Sequence, residues 1–188
     1  GMVNAFEGNL SVREGDKIYI TPSGICKGFL TPDEIVVTNM EGQVIEGKLK
    51  PSSELLLHIN SYKHRPDIKS VIHAHSPHAT AFALANLPIE SRSYTEMIML
   101  FEKIPLAEYG IPSTDKVFDG VKKYISDYDI VLLANHGIMA VGKNVYDAYF
   151  KLEAAESIAK VLILARQLGG EKELEPNQLN ELQRFRKK

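Results

Sequence analysis

Three histidines lie within eight residues in the segment VIHAHSPH, positions 71–78. The β-branched residues before His73 favour a strand, and in a strand positions i and i+2 point to the same face. His73 and His75 would then lie about 7 Å apart at Cα, close enough for both imidazoles to bind one metal ion. The spacing also fits polar residues that alternate along an exposed strand. The segment alone therefore leaves a metal site and an ordinary strand both open.

Two distant residues favour the metal site. His136, in LLANHGIMA, follows an apolar strand-like segment and precedes Gly137, whose conformational freedom suits a sharp turn. Glu54 falls in the first turn of a predicted helix. Three histidines with one displaceable carboxylate are more typical of a catalytic zinc site than of a structural one. The other histidines are interpreted as two supporting groups and one solvent-facing residue, namely His58, His78 and His64 respectively.

Several polar groups could bind an anion. Ser52 and Ser53 precede the same predicted helix, where free N–H groups and the helix dipole favour phosphate, although in isolation simple capping is the favoured interpretation of both serines. Ser23 and Gly24 belong to the loop TPSG, and Asn9 offers an amide. The sequence contains no Walker-type glycine–lysine loop, which argues against a nucleoside triphosphate.

The composition is that of an ordinary globular protein. The chain has 188 residues, 44% hydrophobic and 24% charged, with a formal net charge of -2, and its length suits one domain. This charge gives no indication of a nucleic-acid partner. No apolar run approaches the roughly 18 residues of a membrane span. Cys26 is the one cysteine, so no disulfide forms within the chain, and we expect a reducing cytoplasm.

Hydrophobic periodicity predicts the elements that carry these residues. Helices are predicted from about Ser52 to Pro66, from Pro77 to about Asn86, over 114–126 with Ser113 as cap, and over 145–168. A short surface helix or a frayed tail is expected at the end of the chain. The stretch 88–113 gives no clear pattern. Strands are predicted at 9–13, 17–20, 35–38, 43–46, 70–75, 130–134 and 138–141.

Six segments in order resemble a known family. They are GNLSVR (8–13), ITPSGI (20–25), KPSSE (50–54), HAH (73–75), IP with YG (104–110) and NHG (135–137), which together cover about residues 4–165. On these segments the sequence resembles the class II, zinc-dependent sugar-phosphate aldolases of the L-fuculose-1-phosphate aldolase type. The resemblance implies an α/β fold with three layers (α/β/α), in which helices flank a central mixed, largely antiparallel sheet.

The resemblance also implies site residues and an assembly. Glu54 would be both a resting metal ligand and the catalytic base, and Tyr94, by its distance from IP, would be the proton donor supplied by an adjacent chain. The implied assembly is a homotetramer with sites between subunits. The implied zinc ligands are Glu54, His73, His75 and His136, although another divalent ion would also fit. The implied contacts to the substrate phosphate are Asn9, Ser23, Gly24, Ser52 and Ser53.

The implied activity is the reversible cleavage of a ketose 1-phosphate into dihydroxyacetone phosphate and an aldehyde. L-Ribulose-5-phosphate 4-epimerase-like and methylthioribulose-1-phosphate dehydratase-like activities are alternatives on the same fold, as is a non-catalytic adducin-like module. Glu54 favours the aldolase over the epimerase, which typically has an aspartate there. One domain over residues 1–188 is expected, with the family's N-terminal helix missing from this sequence. TEMIMLF replaces the glycine-rich stretch that often follows the tyrosine.

Overall fold

The computed structural model of the protein describes residues 1–186. Within this range, strands and helices alternate after an all-β start, and two short 3-10 helices, Lys27–Phe29 and Pro32–Glu34, follow the second strand. The strands are β1 (Asn9–Glu14), β2 (Lys17–Ile20), β3 (Val36–Asn39), β4 (Val44–Glu46), β5 (Ser70–Ala74), β6 (Ile89–Glu90), β7 (Lys103–Ile104), β8 (Leu106–Ala107), β9 (Ile130–Leu133) and β10 (Gly137–Gly142). The helices are α1 (Leu55–His64), α2 (Pro77–Leu84), α3 (Thr95–Leu100), α4 (Lys116–Val121), α5 (Val145–Gln167) and α6 (Pro176–Arg186).

Eight of the strands form the central sheet, in the order β4-β3-β2-β1-β5-β10-β9-β8. Neighbouring strands are antiparallel except β8 and β9, which are parallel, and β6 pairs with β7 separately. The strand β5 lies in the middle of the sheet between β1 and β10. The prediction of a mixed, largely antiparallel sheet is confirmed.

Side-chain alternation along the strands gives the sheet two buried faces. Ile72 and Ala74 of β5 pack in a core with α2 and α5. Val71 of β5 packs in a second core with α1 and α4. Helices on both faces give the three predicted layers. His73 is an odd-numbered residue of β5, so it shares the α1 side of the sheet with Val71.

Strand pairing brings distant parts of the chain to one edge of the sheet. Asn9, at the start of β1, lies opposite His73 of β5, and Met139 of β10 flanks His73 on the other side. The turn between β9 and β10 carries His136 at the same edge. The N-terminus of α1 approaches this edge from one face.

Some local predictions are wrong. The helix α1 begins at Leu55 with Glu54 as its N-cap, three residues later than the predicted start near Ser52. The helix α4 begins at Lys116, so Ser113 does not cap it; Ser113 instead has a positive φ of 64°. The unassigned stretch 88–113 contains β6, α3, β7 and β8. None of the helices in residues 1–186 has the length and apolar character needed to cross a membrane.

Candidate functional site

Three imidazoles converge at the sheet edge. A ring nitrogen from each of His73, His75 and His136 lies within 4.8 Å of the others. The Nε2 atoms of His73 and His75 are 3.0 Å apart. Tetrahedral ligands about 2.0–2.1 Å from a zinc ion lie about 3.4 Å from one another, so this spacing suits a shared ion.

The turn after β9 brings His136 to the other two histidines. Asn135 supplies the left-handed residue of this turn, with a φ of 58°, so the prediction that Gly137 provides this freedom is wrong. Gly137 is required for space instead. A Cβ atom there would lie 2.5 Å from the carbonyl oxygen of Ala74 and 2.9 Å from Cδ2 of His75. The absence of a side chain at Gly137 lets β10 pass directly against the two histidines.

The surroundings of His73 and His136 favour the neutral form of both rings. Nδ1 of His73 donates to the carbonyl oxygen of Ile138 at 3.1 Å, so Nε2 of the neutral ring carries the lone pair toward the site. Burial, together with the nearby His136 and His75, holds the pKa of His73 well below its ordinary value. Burial also lowers the pKa of His136, against the opposing effect of the Glu54 carboxylate. Neutral imidazole is the form that binds metals.

Glu54 completes the group from the N-terminus of α1. Its carboxylate is buried, with Oε2 3.1 Å from Nε2 of His73 and Oε1 3.8 Å from Nε2 of His136. Oε1 of Glu54 and Nδ1 of His136 are buried and have no hydrogen-bond partner among residues 1–186. An unpartnered carboxylate oxygen beside three imidazoles is a costly arrangement for an interior, and a divalent cation would offset that cost. The donor set therefore fits a zinc ion.

The predicted phosphate contacts lie in the same cavity, which has a volume of about 240 Å³. Two loops that carry four of these contacts are joined by backbone hydrogen bonds, from Ser23 N to Lys50 O and from Ser52 N to Thr21 O. Ser52 Oγ accepts at 3.3 Å from the N–H of Glu54, which is itself the N-cap residue, and no side-chain hydrogen bond caps α1. The alternative interpretation of both serines as simple caps is therefore not confirmed. The cavity wall includes all five predicted contacts, Asn9, Ser23, Gly24, Ser52 and Ser53, together with Glu54, His73, His75 and His136.

The remaining predicted residues lie elsewhere. Tyr94 is half-buried against the core on the α2–α5 side and does not line this cavity. His78 donates from Nδ1 to Glu156, 2.7 Å away, and His64 is exposed. His58 is fully buried beneath the cavity and contacts Asn9. His58 and His78 fall outside the group of potential metal ligands in the described part of the chain.

Sequence reasoning missed two residues of the cavity wall, Glu7 and Lys27, and one tyrosine beyond it, Tyr109. The carboxylate of Glu7 lies 3.6 Å from Nδ1 of His75. Lys27 lines the cavity, where its Nζ donates to the carbonyl oxygens of Ile25 and Phe6. Tyr109 is 59% exposed and follows β8, whose carboxyl end lies beside that of β9. Tyr109 belongs to the YG motif in the sequence, but only the pairing of β8 with β9 shows that it follows the sheet edge that carries His136.

Residues 1–163 match the family model described as the class II aldolase and adducin N-terminal domain. The chain belongs to this family. It is 41% identical over 157 residues to the L-fuculose phosphate aldolase of Methanocaldococcus jannaschii, covering 84% of each chain. It is 32% identical to the 5-deoxy-D-ribulose 1-phosphate aldolase of Bacillus thuringiensis, covering 97% of this chain and 86% of that one.

Solved structures give the same result. The chain superposes on an L-fuculose 1-phosphate aldolase with a TM-score of 0.88 and 32% sequence identity, over 100% of this chain and 89% of the other. This class II aldolase has the three-layer architecture described above, and the resemblance found in the sequence is confirmed. The protein is therefore an enzyme of the lyase class, from a family that acts on phosphorylated sugars.

Proposed function

We propose that the protein is a zinc-dependent aldolase that reversibly cleaves a ketose 1-phosphate into dihydroxyacetone phosphate and an aldehyde. One observation carries the proposal: a single cavity contains a potential metal-binding group, a buried carboxylate and two joined loops rich in phosphate-binding groups. A phosphate and a ketone carbonyl of one small substrate would each find suitable partners there. The printed names of the relatives, which are aldolases for sugar phosphates, support the same reaction.

In this proposal His73, His75 and His136 would hold the zinc ion, and Glu54 would be a fourth ligand in the resting enzyme. Bound zinc would act as a Lewis acid that polarises the carbonyl of the ketose. During condensation Glu54 would remove a proton from the carbon next to the carbonyl of dihydroxyacetone phosphate, and during cleavage it would return a proton to that carbon. Its buried position beside the histidines and its unpartnered Oε1 support both roles.

The five proposed phosphate contacts are neutral side chains and backbone N–H donors, and Lys27 adds a positive charge to the same cavity wall. Ser52 and Ser53 lie next to the N-terminus of α1, where the helix dipole favours an anion. Ser23 and Gly24 face them from the second loop, and Asn9 contributes its amide. These contacts would orient the substrate without taking part in bond cleavage.

A tyrosine would protonate the aldehyde oxygen when the carbon–carbon bond forms and deprotonate it during cleavage. The family resemblance implies Tyr94 from an adjacent chain for this role. Tyr109 is a competing candidate, because it is more exposed and belongs to the sheet edge that carries His136. Tyr94→Phe and Tyr109→Phe, compared in the same cleavage assay, distinguish them: the donor's variant should lose kcat while retaining bound zinc.

The proposal includes a homotetramer in the cytoplasm, with each site completed by a neighbouring subunit. A site between subunits requires that the proton-donating tyrosine be exposed on the isolated chain. The aldehyde is the variable part of the substrate, since the relatives' printed names specify L-fuculose phosphate in one case and 5-deoxy-D-ribulose 1-phosphate in another.

The test is a screen of ketose 1-phosphates coupled to detection of dihydroxyacetone phosphate, with and without chelator. Cleavage that is lost with chelator and restored by zinc is the expected result. Glu54→Gln should keep the fold but slow proton exchange at the reacting carbon of dihydroxyacetone phosphate. Unchanged exchange in this variant would rule out Glu54 as the base, and full cleavage by metal-free protein would refute the zinc mechanism.

A further inference from the structure

A row of buried polar side chains runs beneath the cavity, between β1 and α1. Ser11, His58 and Tyr62 are each 0% exposed, and Asn9 lies at the end of the row that reaches the cavity. Three hydrogen bonds join the four residues. They link Tyr62 OH to Ser11 Oγ at 2.7 Å, Ser11 Oγ to His58 Nδ1 at 2.7 Å, and His58 Nε2 to Asn9 Oδ1 at 2.5 Å.

Each bond in this row has a defined direction. The amide oxygen of Asn9 only accepts, so Nε2 of His58 must donate to it. Burial lowers the pKa of His58 to about 3, so the ring is neutral and its Nδ1 must accept from the hydroxyl of Ser11. Ser11 has then used its one proton, and the hydroxyl of Tyr62 must donate to it. Burial also raises the pKa of Tyr62, which keeps that proton in place.

The consequence falls on the amide of Asn9. Its oxygen is held by His58, so its nitrogen Nδ2 is left to face the cavity, and Nδ2 donates to no other residue in the described range 1–186. We propose that His58 is a positioning residue, which fixes the Asn9 side chain with its two N–H donors directed into the cavity. If the amide were reversed, its oxygen would face a substrate phosphate and repel it.

The benefit for substrate binding rests on the proposed function, in which Asn9 contacts the phosphate. The orientation itself does not. A cluster that only tied α1 to β1 would gain its stability from burial and hydrogen bonding in either direction. Only the positioning role requires the Nε2–H tautomer of His58. A measurement of this tautomer therefore tests the positioning role, because a purely structural role is compatible with either tautomer.

The first experiment determines the tautomer in the zinc-loaded, 15N-labelled protein. Protonated and unprotonated ring nitrogens resonate at well-separated 15N shifts, and long-range 1H–15N correlation assigns the proton to one of them. We expect His58 in the neutral Nε2–H form at pH 7. A neutral Nδ1–H form would overturn the proposal, because Nε2 would then accept from the amide nitrogen of Asn9 and the amide oxygen would face the cavity.

The second experiment compares two variants of similar size and polarity. In His58→Gln the side-chain amide reaches the place of Nε2 and can still donate to Asn9, whereas in His58→Asn the shorter amide reaches only the place of Nδ1. The probe is glycerol 3-phosphate, a phosphate monoester without a ketone, titrated calorimetrically into each zinc-loaded protein. His58→Asn should weaken binding about tenfold, the loss expected for one hydrogen bond to a charged group, and His58→Gln should restore most of it.

The outcomes separate this inference from the proposed function. Equal losses in His58→Gln and His58→Asn would overturn the positioning role, even with the expected tautomer. Failure of the wild-type protein to bind the probe would instead count against the phosphate site of the proposed function. The NMR measurement of the His58 tautomer would still determine the orientation of Asn9. Because it uses the wild-type protein, this result does not depend on whether the variants fold.

Discussion

Replacing Gly137 by alanine tests whether the close approach of β10 to β5 determines metal binding. The new Cβ would lie 2.5 Å from the carbonyl oxygen of Ala74, 2.9 Å from Cδ2 of His75 and 3.2 Å from Cε1 of His73. The first two distances are too short to persist, so the backbone or the rings must move. Overpacking of this kind costs about 1–3 kcal/mol of stability. The displaced rings should also lower zinc affinity by roughly 10–100-fold, as changes around metal ligands typically do.

Gly142→Ala is a matched control at the other end of β10. Its Cβ would lie 2.5 Å from the backbone nitrogen of Ala148 and 2.9 Å from Oδ2 of Asp147, a clash of similar severity far from the histidines. We expect both variants to unfold at lower urea concentration when measured with chelator present. Only Gly137→Ala should lose zinc affinity in competition with a chromophoric chelator. Wild-type affinity in Gly137→Ala, or equal losses in both variants, would refute the reasoning.

Three further predictions concern individual side chains. His75→Ala should remove zinc and cleavage activity together, and its loss of zinc affinity should exceed the roughly 10–100-fold that is typical when a residue hydrogen-bonded to a metal ligand is replaced. Metal analysis measures the bound zinc and the coupled assay measures cleavage. An active variant with no zinc would contradict the assignment of His75 as a ligand. Lys27→Met removes a positive charge from the cavity wall, so KM for the phosphorylated substrate should rise about tenfold with little change in kcat, while Lys63→Met on the exposed side of α1 should change neither. His58 stays neutral when folded, with a pKa of about 3, but binds a proton below pH 6.5 when unfolded. The free energy of unfolding therefore decreases as pH falls from 6.5 toward 3. Between pH 7 and pH 5, urea unfolding with chelator present should show a decrease about 2 kcal/mol larger for wild type than for His58→Gln. Equal decreases in the two proteins would show that His58 protonates in the folded protein.

The longer strands and the histidines at the sheet edge could be predicted because their signals are local. The β-branched residues before His73 and the alternation along β5 were enough to place two imidazoles on one face. The short strands β6, β7 and β8 have two residues each, and they exist only through pairing with distant partners. No periodicity can form within two residues, so the stretch 88–113 gave no clear prediction.

The same limit applies within the site. Spacing indicated that His58 is a supporting residue, but its partners Asn9 and Ser11 lie on a strand more than forty residues away. Gly137 was noticed for the wrong reason, because a requirement for space depends on Ala74 and His75, which only the folded sheet brings near. Tyr109 was likewise visible only as part of a motif until the parallel pairing of β8 and β9 located it.

The proposed zinc ligands come from parts of the chain that are remote in sequence. Glu54 precedes α1, His73 belongs to β5, and His136 follows β9, more than sixty residues after His73. A zinc ion held by all three would act as a cross-link that exists only in the folded protein. At a free zinc concentration one thousand times the dissociation constant, such binding would add about 4 kcal/mol to the free energy of unfolding. Zinc supply in the cell would then govern how long the enzyme survives proteolysis, as well as how fast it turns over.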